Sequence, residues 1–176
     1  YIRAIVGELE RIHSHLLWAG VAAHELGFDS AFYMAWRCRE NVLDLLEYLT
    51  GNRIHYAMIQ IGGVRRDIVP DQFPRIEESM KFFEEAYDKL AAVFLDDTTV
   101  QMRCRDCGVL TYDEARQLCP VGPTARASGI KKDVRIDHPY AAYADLEIDY
   151  MTPDVLTGEV RGDVYDRIVT RLLEVR

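Results

Sequence analysis

Two long stretches of helical periodicity, each closed by a glycine, limit this chain to architectures built on a helix hairpin. In the first, Ile2, Val6, Leu9, Ile12 and Leu16 recur at intervals of three and four, which places them on one face of a helix that Gly27 can stop. The second runs through Trp36, Val42, Leu45, Leu46 and Leu49 to Gly51, with Asp29 or Ser30 as its cap. Helices joined by so short a turn should pack antiparallel.

Beyond Gly51 the pattern changes. Arg53 to Ile61 is apolar and rich in β-branched residues and ends at Gly62-Gly63, which predicts a short strand running into a tight turn. Pro70 and Pro74 bracket a loop, and Pro74 suits the first turn of a third helix carrying Ile76, Met80, Phe83, Tyr87, Leu90 and Phe94. Thr111 and Glu114 have capping-box spacing, so a brief fourth helix should cover residues 112–118 before Pro120 and Pro123 intervene. Residues 120–143 read as an ordered loop. Leu146 to Tyr150 alternates as a half-buried strand, Val155 to Val160 reads as its hairpin partner around Gly158, and Asp163 caps a final helix. The expected fold class is mainly α (α+β), an antiparallel helical bundle with a small β-sheet.

The ends suggest an internal piece. Tyr1 is not an initiator Met, residues 1–10 already read as helix interior, and residues 167–176 keep their apolar periodicity without a stop signal. The expectation is one central segment, residues 1–176, truncated at both ends.

A net charge of −8 argues against a nucleic-acid partner, because phosphate binding needs a basic surface. No apolar run approaches the ~20 residues that cross a bilayer. Four unevenly spread cysteines, Cys38, Cys104, Cys107 and Cys119, do not form a secreted disulfide framework, so a reducing, cytoplasmic compartment is expected. Cys104 and Cys107 have metal-ligand or redox spacing, with Cys119 as a third thiol. There is no second pair to complete a four-ligand site and no βαβ context for a redox motif, so plain reduced thiols are the simpler reading.

His13 and His15 lie two apart and so face different sides of their helix, which rules out joint ligation of one metal. His13 is most simply a hydrogen-bonded core or surface group, whereas His15 and Glu25 are candidates for a site. The segment Gly62-Gly63-Val-Arg-Arg-Asp67 combines a backbone free to turn tightly with a charge cluster formed by Arg65, Arg66 and Asp67. That cluster suits either a partner subunit or plain solvation. The segment Gly122 to Gly129 is rich in small residues, carries Arg126, and lacks the lysine of a phosphate-binding loop.

Taken in order, "GELERIHSHLLWAG", "HELGFDSAF", "RENVLDLLEYLTGNRIHY", "IGGVRRDI", "VGPTARASG", "DHPYAAY" and "GDVYDRI" resemble the large catalytic subunit of membrane-bound, energy-converting nickel–iron (NiFe) hydrogenases. The match is nearest to the Ech and formate-hydrogenlyase types, and the 49 kDa subunit of respiratory complex I is the homologous relative. The resemblance implies a subunit that interconverts dihydrogen with protons and electrons at a NiFe centre whose ligands lie outside residues 1–176, with no metal ligand within them. It implies an iron–sulfur cluster in a small electron-transfer partner subunit, membrane-arm subunits coupled to ion translocation, and ferredoxin or a similar carrier. It places the complex peripherally on the inner face of the cell membrane.

Under the same resemblance, Glu25 falls where complex I relatives carry an acid in the quinone pocket, and His15 matches a recurrent histidine. Gly62, Gly63, Arg66 and Asp67 match a turn near the site and the neighbouring subunit, and Arg126 and His138 match segments near that interface. "MRCRDCGVL" departs from the 49 kDa pattern. The alternatives are the quinone-site subunit of a complex I-like NADH–quinone oxidoreductase, with quinone as its ligand, and a non-catalytic scaffold module of such a complex. The fragment alone is expected to be inactive.

Overall fold

The computed structural model describes residues 1–176, whose contacts divide into two compact units, residues 1–91 and 92–176. The first is dominated by the hairpin of α1 (Ile2–Glu25) and α2 (Asp29–Thr50). Their seam is graded by side-chain size. Near the turn the buried residues are Ala19, Gly20 and Ala23 on α1 and Ala31 and Ala35 on α2, and a Cβ added to Gly20 would stand 3.5 Å from that of Ala35. Towards the other end Val6, Leu9, Val42, Leu45, Leu46 and Leu49 fill the space, each contributing roughly 1.5–3 kcal/mol by leaving water.

The glycine stops act as expected: Gly27 has φ +74° and Gly51, at φ +84°, closes α2 in the left-handed conformation. The expected cap does not. Phe28 occupies the N-cap position without a side-chain hydrogen bond, and Asp29 instead meets His24, Oδ1 to Nδ1 at 3.1 Å.

The strand expected over residues 53–61 shrinks to a two-residue ladder, β1 (Ile59–Gln60) against β2 (Gly63–Val64), antiparallel with Ile59 opposite Val64. The residues before it are held by side chains: Asn52 Oδ1 accepts from the backbone N–H groups of Ile54 and His55. After a 3-10 turn at residues 70–72 comes α3 (Phe73–Asp96). Within the first unit it buries Phe83, Tyr87 and Leu90 and lays the Arg75 guanidinium 3.9 Å from the Tyr48 ring centroid.

The second unit contains α4 (Thr98–Cys104), α5 (Tyr112–Leu118), α6 (Pro123–Ala127), α7 (Val134–Asp137), α8 (Asp154–Thr157) and α9 (Val164–Val175). Here α5 has the expected bounds and capping box, and Asp163 caps α9 by accepting from Asp166 N at 2.8 Å. The hairpin expected over residues 146–160 does not form. Residues 154–157 make a helical turn that Gly158 terminates at φ +75°, so the period-two pattern finds no strand partner. The segment expected as a loop contains α6 and α7. The core gathers Phe94, Val100, Cys104, Ile168 and Val169, all at most 1% exposed.

Candidate functional site

The glycine turn is fastened from two sides. Arg3 of α1 donates from Nε at 3.1 Å and Nη2 at 2.9 Å to the Gly63 carbonyl, and its Nη2 also reaches Gln60 O at 3.1 Å. Arg65 donates from Nη2 to Thr50 O at 2.7 Å, the last carbonyl of α2. The Arg66 guanidinium lies 3.1 Å from where a Cβ on Gly51 would stand. Two guanidinium groups thus sit at the negative end of the α2 dipole. Arg65 gives its Nη2 to the carbonyls of Thr50 and Tyr56, and Arg65, Arg66, Asp67 and Ile61 at the tip are all exposed. Gly62 takes φ +85° with open space around it, so its glycine serves the turn rather than a close contact.

On α1, Glu25 is the last helical residue and its side chain is exposed, and His15 is half-buried. His13 proves to be more specifically placed than its sequence suggests. Arg39 of α2 donates from Nη2 to His13 Nε2 at 2.6 Å. Burial, and then the Arg39 guanidinium, hold the His13 imidazole below the usual histidine value. Arg39 also lies 4.8 Å from the Trp36 ring centroid. No periodicity signals this pair, because its members are 26 residues apart and each is unremarkable on its own helix.

In the second unit Arg126 is 3% exposed and commits its donors internally: Nε to Glu174 Oε1 at 2.6 Å and Nη1 to Lys132 O at 2.7 Å, with Asp133 Oδ2 at 3.4 Å. Burial pushes the Asp133 carboxyl up, but hydrogen bonds and charge from Arg135, aided by Arg126, outweigh it and hold the group at about 2. Arg126 therefore fixes the backbone that leads through α7 to His138, whose side chain is exposed. The acidic half of this network, Asp133 and Glu174, escaped the sequence reading.

All four cysteines are free. Burial pushes the Cys38 thiol up to about 12 and, with smaller contributions from Cys107 and Asp163, the Cys104 thiol up to about 11. Cys107 and Cys119 are exposed. No three His, Cys, Asp or Glu side chains are grouped to hold a metal ion. A groove of about 480 Å³ in the first unit, lined by Met34, Arg37, Cys38, Asn41, Phe82 and Lys89, contains none of the expected site residues. No helix is long and apolar enough to cross a membrane.

Residues 25–176 match the protein family described as the respiratory-chain NADH dehydrogenase 49 Kd subunit. Over 99% of its length the chain is 48% identical to a membrane-bound hydrogenase subunit alpha from Pyrococcus furiosus, of which it spans 41%. It is 38% identical, over 99% of its length, to NADH-quinone oxidoreductase subunit 4 from Thermus thermophilus, again spanning 41% of that protein. Formate hydrogenlyase subunit 5 of Escherichia coli is 37% identical over 99% of the chain, which spans 30% of it.

Proposed function

The chain belongs to the family of the 49 kDa subunit of respiratory-chain NADH dehydrogenase, and from that premise we propose that it forms part of the catalytic subunit of a membrane-associated, energy-converting NiFe hydrogenase. The observation that carries this reading is the gradient of similarity, 48% to the archaeal hydrogenase subunit against 38% to the quinone oxidoreductase subunit over the same span. The complete protein would oxidise dihydrogen reversibly. Its electrons would pass through the iron–sulfur clusters of a small partner subunit to ferredoxin or a similar carrier, and membrane-arm subunits would couple the flow to ion translocation. Such a complex sits peripherally on the inner face of the cell membrane.

The residues of this chain do not fit a NiFe centre. They offer no grouped donor set, and the Cys38 and Cys104 thiols resist ionisation.

The chain's own part is positional. Arg3 and Arg65 set the glycine turn so that Arg66, Asp67 and Ile61 form an outward face for the electron-transfer subunit. Arg126 sets the segment leading to His138. Glu25, exposed on α1, becomes a proton-relay candidate once the assembled complex encloses it, because enclosure raises a carboxyl towards neutrality. His15 lies on the same helix and shares that assignment.

The second reading, a quinone-site subunit, has the family match and the Thermus relative in its favour. The test is the activity of the full-length protein in its complex. Dihydrogen-dependent ferredoxin reduction supports the hydrogenase reading, whereas NADH-dependent quinone reduction without dihydrogen turnover replaces it with the second. Within an active complex, Glu25→Gln should slow turnover, and undiminished turnover and coupling would remove Glu25 from the proton path.

A further inference from the structure

Arg39 is a buried cation without an anion. It is 8% exposed, it makes no ion pair, and its Nε has no acceptor. Its neighbour in sequence, Glu40, is engaged by Arg53 instead. The one hydrogen bond of its guanidinium goes to Nε2 of His13, and the Trp36 ring lies against it. A ring nitrogen can accept only while it carries no proton, so this contact requires the neutral imidazole with its proton on Nδ1. Nδ1 lies 3.4 Å from Glu10 O, which agrees with that tautomer.

We propose that His13 and Arg39 form an acid-sensitive latch between α1 and α2, in which proton uptake at His13 Nε2 removes Arg39's acceptor and loosens the hairpin at that level. The proton enters the nitrogen lone pair, the N–H···N bond breaks, and two cations are left 2.6 Å apart. Few neighbours can absorb that charge. Exposed Glu10, on α1 itself, attracts the imidazolium through solvent. On α2 the groups are Arg39 and Glu40, the latter engaged by Arg53. From the segment after α2 comes Tyr56, a buried neutral hydroxyl without a partner.

His13 titrates below its ordinary value of 6.5 in the folded chain, so its contribution is fully present above that value and is lost as pH falls through the lower folded one. His24 also stands on α1, with its Nδ1 3.1 Å from Asp29 Oδ1 at the turn, so the His13→Gln variant is what assigns an acid response of the hairpin to His13.

The experiment uses the full-length protein. Hydrogen exchange at the imidazole C2 position, read by mass spectrometry, gives the titration midpoint of each histidine, and amide exchange reads the hairpin. The expected midpoint of His13 lies below 6.5 and rises in Arg39→Gln. Amides around residues 9–17 and 36–43 should exchange roughly tenfold faster, relative to intrinsic rates, at about pH 5 than at about pH 8. His13→Gln keeps an acceptor that cannot be protonated and should abolish this response. A midpoint at or above 6.5, or a response that persists in His13→Gln, overturns the latch. If His13→Gln fails to fold, a midpoint that stays put in Arg39→Gln overturns it equally.

Discussion

The guanidinium of Arg3 brackets the carbonyl oxygen of Gly63, with Nε at 3.1 Å and Nη2 at 2.9 Å, across 60 residues of sequence. A two-residue ladder cannot hold a turn by itself. The first turn of α1 therefore sets where the charged residues after the glycines point.

Arg3→Ala should free that turn. The expected cost is about 1–2 kcal/mol, borne locally. Amide exchange over residues 59–65 should accelerate while the middle of α2 is unchanged, and equal acceleration in both would show that Arg3 acts on the whole hairpin.

Arg126→Ala strips Glu174 and Asp133 of a shared buried cation, which should cost about 3–5 kcal/mol in a denaturant melt. Arg126→Lys should recover only part of it, since a single ammonium nitrogen does not reproduce the planar fork whose separate Nε and Nη1 reach Glu174 and Lys132 O.

Asp133, held at about 2, contributes stability that is full above its ordinary value of 3.8 and disappears as pH falls through about 2. The shift corresponds to about 2 kcal/mol. Asp133→Asn should therefore be less stable than the parent at neutral pH and converge with it in an acid titration carried down to that range.

Glycine substitutions should separate space from conformation. A Cβ at Gly162 would stand 2.2 Å from Leu110 O, so Gly162→Ala should cost more than about 3 kcal/mol. Gly62 shares a positive φ but has nothing within 4 Å, so Gly62→Ala should cost only about 1 kcal/mol. Thermal melts of the two variants check the order.

Alkylation of the folded chain at mildly basic pH should label Cys107 and Cys119 and spare Cys38 and Cys104, which are buried and whose thiols titrate near 12 and 11. Peptide mass spectrometry reads the pattern directly.

Local chemistry was legible in the sequence wherever it sufficed to fix the backbone. Gly27, Gly51, the Thr111–Glu114 box and Asp163 each mark a boundary the structure keeps. Strands were misjudged because a strand needs a partner: residues 53–58 are held by Asn52 and Arg65 side chains, and residues 154–157 close on themselves at Gly158. α4 was missed because its signal is one cap, Asp97, accepting from Thr99 and Val100 ahead of a seven-residue helix too short to show a clear apolar period. At the candidate site, the glycine turn and its arginines could be named from sequence. Arg3, Arg39 and Glu174 could not, since each acts on a residue at least 26 positions away.

The central claim is that this chain is a segment of a hydrogenase catalytic subunit, and the nickel content of the full-length protein tests it most directly. The protein would be purified without oxygen after expression with its maturation machinery. About one nickel per chain by elemental analysis is the expected result for a single NiFe centre. Properly matured, intact protein without nickel would contradict the claim and assign the chain to the quinone-site subunit instead.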